Sequence, residues 1–181
     1  HWLLTYPRVR EPLSLAGRTA VVATTLGAGY SHWLLEELPR LLSLDCHGLD
    51  GVIAHASQPF ARAAFAQHGF RGKIIEARRE KHWACEQLVV PSLLGAPGYP
   101  TPEAVAVIEA FTIPLKKRST LFGERLYISR SHARRRRVVC EQEKLWPVLE
   151  RRGFRRVVLE EMTWSDQIVA FCSAREIVAP H

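Results

Sequence analysis

The sequence predicts an α/β fold built on parallel sheets. Three observations support this: strand-like and helix-like segments alternate along the chain, the same rhythm restarts in the second half, and the balance of 47% apolar to 24% charged residues is that of an ordinary globular protein. Alternation of this kind implies right-handed crossovers between parallel strands. At 181 residues the chain is long enough for one large α/β domain or two small ones.

The apolar run RTAVVATT (18–25) reads as a buried strand, followed by the loop LGAGY. A helix is expected from Ser31, a good N-cap, through HWLLEELPRLLSL, with Pro39 kinking or splitting it. GVIAHA (51–56) reads as a strand, PFARAAFAQHG as a helix ending on Gly69, KIIEA and EQLVVPS as further strands. LLGAPGYPTP holds three prolines and two glycines in ten residues and reads as a loop or linker. TPEAVAVIEAF then opens a helix, with Thr101 as cap and Pro102 at the first helical position.

In the second half RLYIS (125–129) is a strand and EKLWPVLERRGF a helix ending at Gly153. RRVVLE is a strand, TWSDQIVAFCSA a helix whose Thr163 and Asp166 fit a capping box, and EIVAP a last strand. Ligands of such sheets sit beyond the carboxyl ends of the strands, which directs attention to the loop after Thr25 and the segment after Ser129.

Charge is concentrated in one place. From Lys116 to Arg137 there are nine cations and one acid, so that segment carries 9 − 1 = +8 against +7 for the whole chain. An anionic partner would therefore be met at a single local site. The four cysteines (Cys46, Cys85, Cys140, Cys172) show no metal-ligand spacing and suit reduced thiols in a cytoplasmic protein. No uncharged apolar stretch is long enough to span a bilayer. The chain begins at His1 and stops at His181 after an apolar run, which reads as a fragment.

Three phrases could carry chemistry. In YISRSHARRRR, Arg130 sits at a strand mouth with a helix start following, and guanidinium forks there suit a phosphate. They could stabilise a departing diphosphate where other enzymes use Mg²⁺, and the sequence has no DxD. A solvated basic loop, or a patch for nucleic acid or acidic lipid, is the competing reading. In YSHWLLEELPR, His32 and Glu36 are four apart on one helix face and could take a proton from an attacking hydroxyl, or His32 could satisfy a core hydrogen bond. In LEEMTWSDQ, Glu160 ends a strand on the same rim as Arg130 and could bind ribose hydroxyls; Asp166 reads as a helix cap, and Gln167 could point either way.

As an ordered set these phrases resemble glycosyltransferase family 61, associated in bacteria with capsular polysaccharide synthesis. The family's HWLLDxLPR-like segment is matched by HWLLEELPR (32–40), its YISR strand and arginine cluster by LYISRSHARRRRVV, and its GF turn by Gly153-Phe154. Its PE-x-LSF-x-EQ phrase is matched by LEEMTWSDQ, and the start of its IVxPHGAGLxN ending by IVAPH. Glu36 stands where Asp is more usual, Cys140 where Asn is common and Asp166 where Glu is.

The resemblance implies a GT-B-like architecture of two Rossmann-like parallel-sheet domains, the second incomplete. The first (1–118) would lie on the acceptor side and the second (119–181) would bind the nucleotide sugar. It implies an inverting transfer from a UDP-linked sugar to a saccharide acceptor, with no metal or other cofactor. By position, Glu36 is the leading candidate base with His32 as alternative or positioning residue. Arg130 is a diphosphate ligand with Arg136, or Arg134, beside it, while Glu160, Gln167 and His181 match donor-site positions. Nucleic acid is not expected as a partner; the inner face of the membrane is compatible with a peripheral location. A non-catalytic nucleotide or nucleic-acid binding module is the alternative from a different class, and a scaffolding domain of a polysaccharide-assembly complex is a third.

Overall fold

A computed structural model of the chain describes residues 11–116, 120–132, 139 and 141–180. The chain divides into two compact units, His1–Phe111 and Thr112–His181. Both are mixed α/β with a parallel sheet at the centre.

In the first unit β1 (Leu13–Val21) pairs in parallel with β2 (Gly51–Ala54) on one side and β4 (Trp83–Val89) on the other, and β3 (Lys73–Glu76) completes the order β3-β2-β1-β4. Helix α1 covers 30–42 and α2 is Pro59–His68. All four residues of β2 are buried, as expected of an interior parallel strand. Trp33, Leu38 and Leu41 of α1 and Ala61, Ala64 and Phe65 of α2 complete this core.

The strand predicted over 18–25 starts and ends earlier, at Leu13 and Val21. Its end has an identifiable cause. The buried Arg40 guanidinium takes the carbonyls of Val21, Val22 and Ala23, and that of Pro91 just beyond β4. One side chain thus ties together the carboxyl ends of two neighbouring strands. The chain after Val21 turns away as the loop over Glu37.

Helix α1 departs from expectation in two ways. Its cap is Gly29, not Ser31, and no side chain caps it; Tyr30 and Trp33 instead pack edge-on against Phe60 of α2. Aromatic packing therefore fixes its start. Pro39 does not break it. Lacking an N–H and crowding the carbonyl four residues back, Pro39 is preceded by a π-helical turn, Trp33–Glu37, in which Leu38 N–H reaches Trp33 O five residues back. The stretch predicted as a loop or linker forms a small hairpin, β5 (Gly95–Ala96) and β6 (Tyr99–Pro100), closed by Pro97-Gly98 with Gly98 at φ 79°, the conformation a Pro-Gly type II turn requires. Helix α3 (Pro102–Thr112) follows, Thr101 Oγ1 accepting from Ala104 N at 3.3 Å.

In the second unit the sheet order is β8-β7-β9, all parallel: β7 (Arg125–Ser129) is central, between β8 (Arg155–Val158) and β9 (Glu176–Val178). Helix α4 (Gln142–Arg151) lies between β7 and β8 in sequence, α5 (Trp164–Ser173) between β8 and β9. Period-two alternation on β7 sends Leu126 and Ile128 into a cluster with Ala170 of α5, while Tyr127 stacks on Trp146 of α4. The Thr163 half of the predicted capping box forms, Asp166 N donating to Thr163 Oγ1 at 3.1 Å, while the Asp166 carboxylate takes the Thr163 hydroxyl, at 2.6 Å from Oδ2, in place of the backbone N–H. Among the described residues no helix is long and apolar enough to cross a membrane.

Candidate active site

The π turn places two consecutive acids, Glu36 and Glu37, on the buried side of α1, where each engages a histidine. Successive residues of a helix point about 100° apart, so the two carboxylates serve different neighbours. Glu36, 9% exposed, accepts from His32 Nδ1 at 2.5 Å and from Gly98 N at 3.2 Å, both at Oε1. His32 is one turn earlier on the same face, and Gly98 is supplied by the hairpin tip.

A carboxylate against Nδ1 selects the tautomer with the proton on Nδ1, leaving the Nε2 lone pair available. Neither His32 Nε2 nor Glu36 Oε2 has a hydrogen-bond partner among the described residues. The His32 side chain is 30% exposed. An imidazole oriented by a carboxylate with its far nitrogen accessible can take up a proton.

Glu37 is the frame beneath it. At 1% exposure it accepts from Thr24 N (2.8 Å), His55 N (3.1 Å) and His55 Nδ1 (2.7 Å). Gly27 lies so close that an added Cβ would fall 1.6 Å from Glu37 Oε1. Arg40 follows one turn later: burial lowers its pKa, while the negative charge of Glu37 raises it. The guanidinium stays charged, and the two buried charges offset each other.

In the second unit the mouth of β7 carries Ser129, fully buried, then Arg130. Arg156 Nη2 donates to Ser129 Oγ at 3.2 Å, Ser131 N to the same oxygen at 3.4 Å, and His132 pairs with Glu161 at 2.8 Å. Arg130 Nε is buried and has no hydrogen-bond partner among the described residues. That places an unpaired guanidinium nitrogen at the carboxyl end of a central parallel strand, the edge at which such sheets meet ligands. Tyr127, two residues before Ser129 on the same strand, has its hydroxyl pKa raised by burial, with Arg156 pulling it down.

Of the residues expected from sequence, His32 and Glu36 form one hydrogen-bonded pair in the first unit, and Arg130 stands at the β7 mouth in the second. Glu160 is not on the strand end: β8 stops at Val158, and Glu160 is exposed in the 3₁₀ turn Leu159–Glu161. Gln167 spends its amide N–H on Leu159 O at 2.8 Å, which steadies that turn. Arg134, Arg136 and His181 lie outside the described residues. Sequence reasoning missed Glu37, Arg40, His55, Gly98 and Arg156. An acid and an arginine three apart among the leucines of a core-facing helix were the available signal for Glu37 and Arg40, since charges on a core face need partners.

Residues 30–181 match the sequence model of Glycosyltransferase 61. No curated protein and no solved structure matches the chain. That matched span runs from the first residue of α1 through the β7 mouth to the last strand and so contains both clusters of polar residues described above; the chain belongs to the glycosyltransferase 61 family and is a glycosyltransferase, an enzyme whose substrates are a nucleotide sugar and an acceptor.

Proposed function

We propose that the chain moves a sugar from a nucleotide sugar, UDP-linked, to a saccharide hydroxyl with inversion and without a metal ion, in bacterial capsular polysaccharide synthesis. The architecture would be GT-B, with the acceptor met by the first unit and the donor by the second, and the enzyme in the cytoplasm with peripheral contact to the membrane. The observation that carries the reading is the His32–Glu36 pair, 2.5 Å apart at the carboxyl edge of a parallel sheet.

In this reading Glu36 holds the His32 tautomer and His32 Nε2 accepts the proton of the acceptor hydroxyl as its oxygen attacks the anomeric carbon. The imidazolium that forms is stabilised by the adjacent carboxylate. Direct transfer to Glu36 Oε2 is the second route. Positive charge gathers on the sugar ring as in glycoside hydrolysis, and negative charge on the departing diphosphate. The unpartnered Nε of Arg130 supports assigning that charge to Arg130, with Arg134 or Arg136 as further cations and Glu160, Gln167 and His181 around the nucleotide. The His32–Glu36 distance and the orphaned nitrogen support these roles; the family supports the reaction class.

The test is nucleotide release from a panel of UDP-, GDP-, CMP- and dTDP-sugars by the wild type and by Arg130→Ala. A UDP-sugar should be turned over, and Arg130→Ala should reduce the rate at least about a hundredfold, the effect of removing one charge-stabilising donor, with melting temperature retained. Wild-type turnover by Arg130→Ala would overturn the assignment.

A further inference from the structure

The second imidazole at this edge, His55, has no role in the chemistry above. It is the residue immediately after β2, at the carboxyl end of a fully buried strand. Its backbone N–H and its Nδ1 are both committed to Glu37, at 3.1 and 2.7 Å. Glu37 is 1% exposed and flanked by Arg40, so it is a fixed acceptor, and the proton of His55 must sit on Nδ1. Nε2 is then a lone-pair acceptor held in one direction. It has no hydrogen-bond partner among the described residues, although the side chain is 18% exposed.

The same loop contacts both histidines. An added Cβ at Gly27 would lie 2.8 Å from His55 Nδ1, and one at Gly29 would lie 4.0 Å from His32 Cδ2. The next residue, Ala56, walls with Arg62, Phe65, Phe70, Ile74 and Glu76 a cavity of about 430 Å³ that His55 itself does not line. A part-exposed imidazole nitrogen fixed as an acceptor suits the hydroxyl of a saccharide.

We propose that His55, locked by Glu37, is a substrate-binding residue whose Nε2 accepts a hydrogen bond from a hydroxyl of a saccharide. The proposal rests on the glycosyltransferase reading for its ligand class. A purely structural histidine would serve only to satisfy Glu37, and asparagine can do that: its Nδ2–H reaches the position of Nδ1–H but leaves nothing at Nε2. His55→Asn therefore separates the two roles.

The experiment titrates the wild-type chain with the methyl glycosides of xylose, glucose, galactose and N-acetylglucosamine, observing histidine ring nitrogens by long-range proton–nitrogen NMR. The His55 resonances are assigned by their loss in His55→Asn, or in His55→Gln should the asparagine variant fail to fold. At least one glycoside should shift His55 Nε2, and His55→Asn should weaken that glycoside about tenfold, the worth of one hydrogen bond, while UDP affinity and melting temperature hold. No shift at His55 with any glycoside, or equal glycoside affinity in His55→Asn, would overturn the proposal. The shift is read on the wild type, so it decides the matter even where His55→Asn is unstable. Nucleotide-sugar turnover is measured separately: its failure with a His55 shift intact would strike the transferase chemistry and leave the saccharide site standing.

Discussion

Replacing Glu37 by glutamine, a change of one atom, should destabilise the protein far more than its size suggests. Oε1 of Glu37 accepts from Thr24 N and His55 Nδ1, and Oε2 from His55 N. An amide keeps one acceptor oxygen; the other becomes an NH₂ facing an N–H donor. One charge-assisted hydrogen bond is lost, about 2 kcal/mol, and a buried donor is left unsatisfied, about 1 kcal/mol more. Arg40 also loses the negative charge that raises its pKa against burial. The total, about 3 kcal/mol, corresponds to a fall in melting temperature of roughly 6–12 °C for a chain of this size. Differential scanning calorimetry of wild type and Glu37→Gln measures it. An unchanged melting temperature would refute the claim that this carboxylate holds the loop, the strand end and His55 together.

Gly27→Ala should destabilise by about 3 kcal/mol for the same reason from the other side, since its Cβ must displace Glu37; urea midpoints at constant slope would show it. Thr163→Ala removes the N-cap of α5 and should destabilise by about 1 kcal/mol, read by the same melts, with nucleotide-sugar turnover lowered by less than twofold. His68 is held below its ordinary pKa of 6.5 by burial. The folded state therefore resists a proton that the unfolded state accepts, so its stabilising contribution is complete above about pH 6.5 and is lost as pH falls toward the lowered folded-state value. His68→Gln should flatten the melting-temperature profile in that acid window, and an unaltered slope would assign the acid sensitivity elsewhere.

Much of the fold was legible because both halves obey simple periodicities. RLYIS matches β7 residue for residue, GVIAHA overruns β2 by two residues and KIIEA overruns β3 by one, and the Thr163 cap was readable from two residues three apart. Features decided by distant partners were not legible. The end of β1 is set by Arg40, whose partners are 17 to 51 residues away in sequence. The start of α1 is set by Phe60 rather than by Ser31. The hairpin looked like a linker because its Pro and Gly residues signal a turn without saying what the turn will touch, and Gly98 N touches Glu36. For the site, His32 and Glu36 were visible as an i, i+4 pair, and Arg130 as a cation at a strand mouth. Glu37 and Glu36 are adjacent and identical in type, so only burial and partners distinguish the carboxylate that frames the loop from the one paired with His32. Glu160 was misplaced by two residues because β8 closes into a 3₁₀ turn that Gln167 holds from α5.

The most direct measurement is nucleotide release from the nucleotide sugar that the wild type turns over fastest, compared in Glu36→Gln. Glutamine retains an oxygen for His32 Nδ1 and Gly98 N, so the melting temperature should stay within a few degrees of wild type. Without the carboxylate the His32 imidazolium loses its counter-charge and Oε2 its basicity, and turnover should fall by about 10²–10⁴. A Glu36→Gln enzyme that folds and turns over that sugar at the wild-type rate would contradict the account.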